Sequence, residues 1–125
     1  MRTRDISFDQ WQTFFDDFSQ LHRDEHVNVE TLGRGGHGVQ SRLRDVPLLG
    51  IVPVPNPAQE EWIEVVARDA SGACVTHAIA RPSRVCVAEE SGDTVALQVE
   101  SADGSVTMVR FEPPRENMPE GFTIS

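Results

Sequence analysis

The sequence predicts an α+β domain, in which an N-terminal amphipathic helix packs on a mainly antiparallel sheet or partial barrel of six or seven strands. Three observations predict this class: a helical period near the N-terminus, a period of two beyond residue 26, and short turn-forming segments between the alternating stretches. The length of 125 residues fits one domain. We expect this domain to span residues 1–111, with the proline-rich residues 112–125 as an extended or mobile tail.

The first predicted element is an amphipathic helix at the N-terminus. Ser7 is placed to cap its free amide groups, and Gln10 stands three residues later as the capping-box partner. The spacing of three and four residues predicts a buried face made of Phe8, Trp11, Phe14, Phe15, Phe18 and Leu21. We expect this face to cover an apolar sheet face or to plug one end of a partly closed barrel.

The rest of the predicted domain consists of short strands. Loops with turn chemistry, such as DASGA and ESGD, separate several of them, and strands joined by such short loops are antiparallel. The alternating stretches are residues 27–31, 39–43, 46–51, 62–67, 73–80, 84–89, 94–101 and 106–111. We expect six or seven of these eight stretches to form strands of the sheet.

The stretch ESADGSVT predicts a hairpin whose register can be read from the sequence. A two-residue Asp-Gly turn would place Leu97 opposite Arg110, which mismatches the apolar and polar faces. A three-residue loop, residues 102–104, instead pairs Leu97 with Val109 and puts Gly104 where a positive φ is wanted. We therefore predict the three-residue loop.

The stretch GRGGHG, residues 33–38, fits the G-x-G-x-x-G pattern of a loop that holds a pyrophosphate. That interpretation requires a helix directly after the glycines. The following VQSRLRDVPLLG alternates like a strand and contains Pro47 and Gly50. We therefore interpret the glycine-rich stretch as a flexible hairpin loop between antiparallel strands, and we expect no cofactor.

The stretch HRDEH, residues 22–26, fits H-x-x-E-H, an inverted zinc-protease signature. On a continuing helix His22 and His26 would share a face, with Glu25 as the base. The segment falls at a predicted helix end, however, and a short chain has little room for a third ligand and a substrate cleft. We interpret these residues as solvated, and keep His22 and His26 as candidate ligands of an adventitious metal.

Three further residues are candidates for ligand binding. His77 has the strand parity of Val75 and Ile79, which favours a hydrogen-bonded core or boundary histidine over a ligand or base. Arg81 and Arg84 flank a Pro-Ser pair in a predicted turn, which is either solvated or able to hold an anion. No serine stands in G-x-S-x-G, and we identify no catalytic residue.

The chain is acidic, with 20 acidic against 11 basic residues and a formal net charge of -9. That charge repels a phosphate backbone, so we expect no direct binding to nucleic acid. The absence of Lys and Tyr removes two side chains used in nucleophilic and acid–base catalysis, which weighs against an enzyme. Cys74 and Cys86 are too few for a disulfide framework, and we interpret both as reduced strand residues.

The hydropathy pattern predicts a cytoplasmic protein without a membrane partner. The N-terminal stretch MRTRDISFDQW runs into no apolar region of a secretory signal. The longest apolar run, VPLLGIVPVP, is far shorter than the ~20 residues of a membrane span.

Five stretches carry a family resemblance: MRTRDISFDQWQTFFDDFS, VNVETLG, VPLLGI, VTHAIARPSRV and ALQVESADGSVTMVRF. They resemble a family of small uncharacterised bacterial proteins, catalogued as a domain of unknown function. The resemblance covers most of residues 1–111. It implies a bacterial cytoplasmic protein and carries no activity, cofactor or site residue.

The failure of every catalytic pattern favours a non-enzymatic interaction or accessory module with an unidentified protein partner. One form is a homo-oligomer joined through an exposed strand edge. Two alternatives stay open: a small-molecule-binding or enzymatic barrel that uses His77, Arg81 and Arg84, and an acidic decoy that competes for a nucleic-acid-binding protein. A concave pocket lined by those residues would favour the first alternative. Acidic side chains arranged in a row like the phosphates of a nucleic-acid duplex would favour the second.

Overall fold

The computed structural model describes residues 2–33, 38–54 and 62–111, which form eight strands and one α-helix. The elements are β1 (Arg2–Ile6), a 3-10 turn (Phe8–Gln10), α1 (Trp11–Leu21), β2 (His26–Leu32), β3 (Val39–Val54), β4 (Trp62–Arg68), β5 (Cys74–Ala80), β6 (Pro82–Glu90), β7 (Asp93–Ser101) and β8 (Val106–Phe111). The predicted α+β class with an antiparallel sheet is confirmed, with eight strands in place of six or seven. The tail, residues 112–125, lies outside the described residues.

The strands form one antiparallel sheet in the order β1-β6-β7-β8-β2-β3-β4-β5. β5 and β6 are distant in this order, yet Arg81 alone separates them in the chain. Consecutive Cα atoms are only ~3.8 Å apart, so the sheet must roll until the end of β5 lies beside the start of β6. Among the described residues the sheet remains open, with β1 and β5 at its edges.

The core lies between α1 and the inner face of the rolled sheet. Trp11, Phe15 and Phe18 of the helix are buried there. They pack with apolar residues from all eight strands, among them Ile6, Val29, Leu48, Ile51, Ile63, Val65, Ile79, Val85, Leu97 and Val109. Alternation along the strands supplies these side chains, because every second residue points to the same face.

The buried face of the helix is shorter than the sequence predicts. Phe8 is 63% exposed and Leu21 is 73% exposed, although both share the apolar spacing. Phe8 lies in the 3-10 turn before α1 and Leu21 is the last residue of α1, so both lie at the limits of the helix. The predicted cap is also wrong in detail, since the Ser7 side chain makes no capping hydrogen bond.

β3 is one strand of 16 residues where the sequence predicts two. Its pairing with β2 is irregular between Leu43 and Val46, and Asp45 in this bulge has a φ of 51°. The first part of β3 pairs with β2 and the second part with β4. A bulge bends a strand while keeping it continuous, which lets β3 contribute to both parts of the rolled sheet.

Beyond Pro47, the side of β3 that faces β2 is covered by α1 and by the turn between α1 and β2. The Leu48 amide donates to the carbonyl of Glu25 at 2.9 Å. The hydroxyl of Ser19 in α1 then donates to the Ile51 carbonyl at 3.1 Å and accepts from the Ile51 amide at 2.9 Å. The helix thus satisfies backbone groups that would otherwise form an open sheet edge.

The structure bears on both hairpins that the sequence predicts. The predicted pairing of Leu97 with Val109 is confirmed, and Gly104 has a positive φ of 92°. β2 and β3 are antiparallel with Leu32 opposite Val39, so a hairpin spans the glycine-rich stretch as predicted. Residues 34–37 of that stretch lie outside the described residues.

Candidate functional site

His22 lies at the C-terminal end of α1 in a largely apolar environment. It is 7% exposed, and its ring centroid is 4.5 Å from that of Phe18 and 4.7 Å from that of Phe111. Its Nδ1 is 3.1 Å from a carboxylate oxygen of Glu25, while its Nε2 is buried without a hydrogen-bond partner among the described residues. The ring is therefore held by packing and by one carboxylate.

His26 lies in a different environment at the start of β2. Its exposed ring is 2.7 Å from a carboxylate oxygen of Asp45 in β3. The two histidines of the H-x-x-E-H stretch are thus oriented by separate carboxylates. Within the described ranges, no three His, Cys, Asp or Glu side chains come together as a metal site.

The candidate ligand residues His77, Arg81 and Arg84 do not line one cavity. His77 is partly buried on β5 and shares the face of the core residue Ile79. Arg81 is exposed in the link between β5 and β6 and has a φ of 46°. Arg84 lies on the outer face of β6, so the three side chains occupy different surroundings.

Arg84 belongs to an ion-pair cluster on the outer face of the sheet. Its guanidinium is 3.0 Å from Asp5 and 3.2 Å from Glu100. A hydrogen bond from the Cys86 thiol, followed by one from Arg84, lowers the pKa of Asp5. Burial raises the pKa of Cys86, and its hydrogen bond to Asp5 raises it further. Cys86 is therefore a protonated thiol at neutral pH and a poor nucleophile.

A concave groove of about 500 Å³ lies on the outer face between β1, β6, β7, β8 and β2. Two rows of cross-strand neighbours meet in it. One row places Ala88 opposite Ala96 and Ala96 opposite Arg110, and the other places Cys86 opposite Gln98 and Gln98 opposite Met108. We call this the outer-face groove and define it by Cys86, Ala88, Ala96, Gln98, Met108 and Arg110.

The second candidate surface is the free edge of β5. This β5 edge consists of the backbone amide and carbonyl groups of Cys74–Ala80 on the side away from β4. No strand among the described residues pairs with it. The strand contains no Asp, Glu, Arg or Pro, whereas three of the five residues of β1, at the opposite edge, are charged. Charges on an edge strand discourage pairing with another chain, so only β1 is protected in this way.

No sequence motif marks either surface. The groove side chains come from strands far apart in the chain, and their alignment depends on the registers of β6, β7 and β8. The sequence indicates only one of these registers, that of the hairpin with Leu97 opposite Val109. The sole sequence signal of the groove side chains is their spacing of two residues along each strand, and many other solvent-facing strand residues share this spacing.

Together, the fold and its surfaces define a class: an α+β protein whose rolled antiparallel sheet holds a helix on the inner face and carries a groove on the outer face. Comparison with known sequences gives the family. The chain belongs to a family of unknown function (DUF5335), whose pattern matches residues 2–120. The resemblance predicted from the sequence to a domain of unknown function is therefore confirmed.

One relative adds detail to this assignment. An uncharacterised protein of Aquifex aeolicus (strain VF5) is 26% identical over 113 residues, which cover 90% of this chain and 95% of that protein. No solved structure matches the chain. In the described part of the chain, no helix combines the length and apolar character needed to cross a membrane.

Proposed function

We propose that this chain is a non-enzymatic interaction module of the bacterial cytoplasm, which assembles with a second copy of itself through the β5 edge. The observation that carries the proposal is the contrast between the two edges of the sheet. β1 presents Arg2, Arg4 and Asp5, whereas β5 presents an uncharged strand of seven residues. An unprotected edge strand is a template for pairing with a further strand.

The backbone groups available on β5 follow from the hairpin before it. The Asp69 amide donates to the Ala73 carbonyl at 2.8 Å, which fixes the alternation of bonded and non-bonded pairs along β4 and β5. Residues 75, 77 and 79 then bond to β4. The amide and carbonyl groups of Cys74, Thr76, Ala78 and Ala80 consequently point away from β4, along the free edge.

The sequence of β5 suits antiparallel pairing with an identical strand. A two-fold axis at His77 places Thr76 opposite Ala78 of the second copy, so the outward backbone groups of both strands meet. The same axis places Val75 opposite Ile79 of the second copy, which joins two apolar side chains on the inner face. A closed two-fold interface of this kind uses the same surface on both copies.

Two lysines on the β5 edge are expected to convert the assembly to single chains. Thr76→Lys combined with Ala78→Lys places each lysine opposite a lysine of the second copy. Both positions are exposed on the outer face, so the fold should be retained. We expect sedimentation and light scattering to give twice the chain mass for the native protein and one chain mass for this variant.

The charge-matched control is Gln12→Lys with Gln20→Lys, on the exposed side of α1. It adds the same charge away from the edge and should keep the double mass. A single-chain mass for the native protein at concentrations of about 100 µM would overturn the proposal, since a dissociation constant above that concentration corresponds to a binding free energy weaker than about 5.5 kcal/mol. So would a double mass retained by the Thr76→Lys, Ala78→Lys variant.

Acidification is expected to weaken the same assembly through His77. Burial lowers the pKa of His77 below its ordinary value of 6.5, and the positive charge of Arg42 lowers it further. The ring is therefore uncharged at neutral pH and takes up its proton only below its usual range. Two protonated rings facing each other across the two-fold axis repel.

Sedimentation at intervals between about pH 7.5 and about pH 5 measures this effect, and the change should fall below the ordinary histidine pKa of 6.5. The dissociation constant should rise as the pH falls, and the His77→Gln variant should show a flat profile. An equal pH dependence in the two proteins would show that His77 does not lie on the axis.

A further inference from the structure

We propose that the outer-face groove binds an uncharged planar heterocycle that carries a ring amide, that is, a ring N–H beside a ring carbonyl. The groove is built on β1, β6, β7, β8 and β2, so it does not involve the β5 edge. Its volume of about 500 Å³ fits a small organic molecule, for which pockets typically span ~300–1,000 Å³.

The floor of the groove suits a flat ring. Ala88 of β6 and Ala96 of β7 lie directly opposite each other. Their methyl side chains leave the surface low beside the neighbouring row of Cys86, Gln98 and Met108, which also lines the groove. A thioether such as that of Met108 makes favourable contacts with aromatic rings, worth about 0.3–1.5 kcal/mol.

Gln98 provides the polar recognition group. It lies between Cys86 and Met108 in the cross-strand row and is partly buried. No described residue hydrogen-bonds its side chain, although the amide carries an acceptor oxygen and two donor hydrogens in one plane. A ring amide presents the matching donor and acceptor side by side, so it can satisfy both ends of the Gln98 side chain.

Arg110 adds donors at the side of the groove. One of its terminal nitrogens is 2.8 Å from a carboxylate oxygen of Glu30, which fixes the side chain and balances its charge. A guanidinium has five N–H donors, so others remain for a second carbonyl oxygen of the ligand. Arg110 therefore favours a ring system with more than one carbonyl group.

The charges around the groove do not favour an anion, because Arg84 is paired with Asp5 and Arg110 is paired with Glu30. Asp5 lies opposite Cys86 at one end of the Gln98 row, and Glu30 lies opposite Met108 at the other end. Each carboxylate is two strand spacings from Gln98, about 10 Å. Since the whole chain also carries a formal charge of -9, a phosphate on the ligand would be repelled.

Riboflavin is a suitable probe, because it is uncharged and its three-ring system has an N–H between two carbonyl groups. The full chain labelled with ¹³C in its methionine methyl groups contains only Met1, Met108 and Met118. A ring bound on the groove floor should shift the Met108 signal more than the other two. The absence of a Met108 shift at the solubility limit of riboflavin would overturn the proposal.

Two chain variants locate the binding. Ala96→Leu fills the groove and should abolish the Met108 shift, while Ala102→Leu, at an exposed turn residue outside the groove, should leave it unchanged. Gln98→Leu should weaken binding about tenfold or more, as expected for the loss of buried hydrogen bonds. Amide spectra of each variant check that the fold is intact. Unchanged affinity in the Ala96→Leu variant would place riboflavin elsewhere and overturn the proposal.

Two altered probes test the chemistry. Methylation of the ring N–H, as in 3-methylriboflavin, removes the donor that faces Gln98 and should weaken binding. Riboflavin phosphate keeps the ring and adds negative charge, so it should bind more weakly than riboflavin at low ionic strength. Equal affinity for riboflavin and the N-methyl compound would refute recognition of a ring amide.

Discussion

Replacing Phe15 with alanine is expected to lower the free energy of unfolding by about 3–5 kcal/mol. Phe15 is fully buried at the centre of the face that α1 packs against the sheet. Its removal leaves a cavity that the surrounding strands cannot close, because they are fixed by their ladders of backbone hydrogen bonds. Urea unfolding followed by tryptophan fluorescence of Trp11 and Trp62 measures the change.

The matched control is Phe8→Ala in the 3-10 turn before α1. Phe8 is 63% exposed, and its ring contacts the edge of Trp11 with a centroid distance of 4.9 Å. An aromatic pair of this kind is worth about 0.5–1.5 kcal/mol, so the control should lose no more than that. Equal losses in the two variants would mean that the helix does not face the sheet as described.

Replacing Ser19 with alanine is expected to lower the free energy of unfolding by about 1–3 kcal/mol. The hydroxyl bridges the amide and the carbonyl of Ile51, in the part of β3 that no longer pairs with β2. Alanine leaves both backbone groups without this partner at a partly buried site. Hydrogen exchange should show faster exchange of the Ile51 amide, because its acceptor is removed.

Ser83→Ala is the control for this second variant. The Ser83 hydroxyl donates to the carbonyl of Glu100 at 3.1 Å, but the site is exposed and water can replace it. We expect a loss below about 1 kcal/mol. A Ser19→Ala variant with unchanged stability and unchanged Ile51 exchange would contradict the role of α1 as a cover for β3.

The two edge strands and the side of β3 beyond Pro47 differ in how their backbone groups are protected, and this difference underlies the proposed assembly. The open side of β3 beyond Pro47 is covered by Ser19 and the backbone of Glu25. β1 carries charges, whereas β5 has neither device among the described residues. The variants at Ser19 and on the β5 edge therefore test the same principle at a covered edge and at an open one.

The elements with local signals could be predicted from the sequence. The spacing of Trp11, Phe15 and Phe18 indicates the helix, since a period of 3.6 residues places them on one face. The hairpin register follows from Leu97, Val109 and Gly104, because the turn type and the apolar face permit one alignment. Both features depend on residues close together in the chain.

Other features had no local signal. The sequence RTRDI of β1 has no apolar alternation, and it becomes a strand only because it pairs with β6. The buried part of the predicted helix face includes neither Phe8 at its start nor Leu21 at its end. Periodicity cannot show where along the helix burial begins and stops. His22 and His26 share a sequence motif, but the helix end between α1 and β2 sends one into the core and leaves the other at the surface.

The sequence by itself determined the α+β class, the helix, most strands and one hairpin register, because these depend on side-chain period and turn chemistry within a few residues. Only the tertiary structure decided the strand order, the roll of the sheet at Arg81 and the alignment of Ala88, Ala96 and Gln98. Those features arise from pairing between distant segments, and similar alternating strands offer many pairings that differ little in local free energy. Burial of the shared core around Phe15 selects one of them.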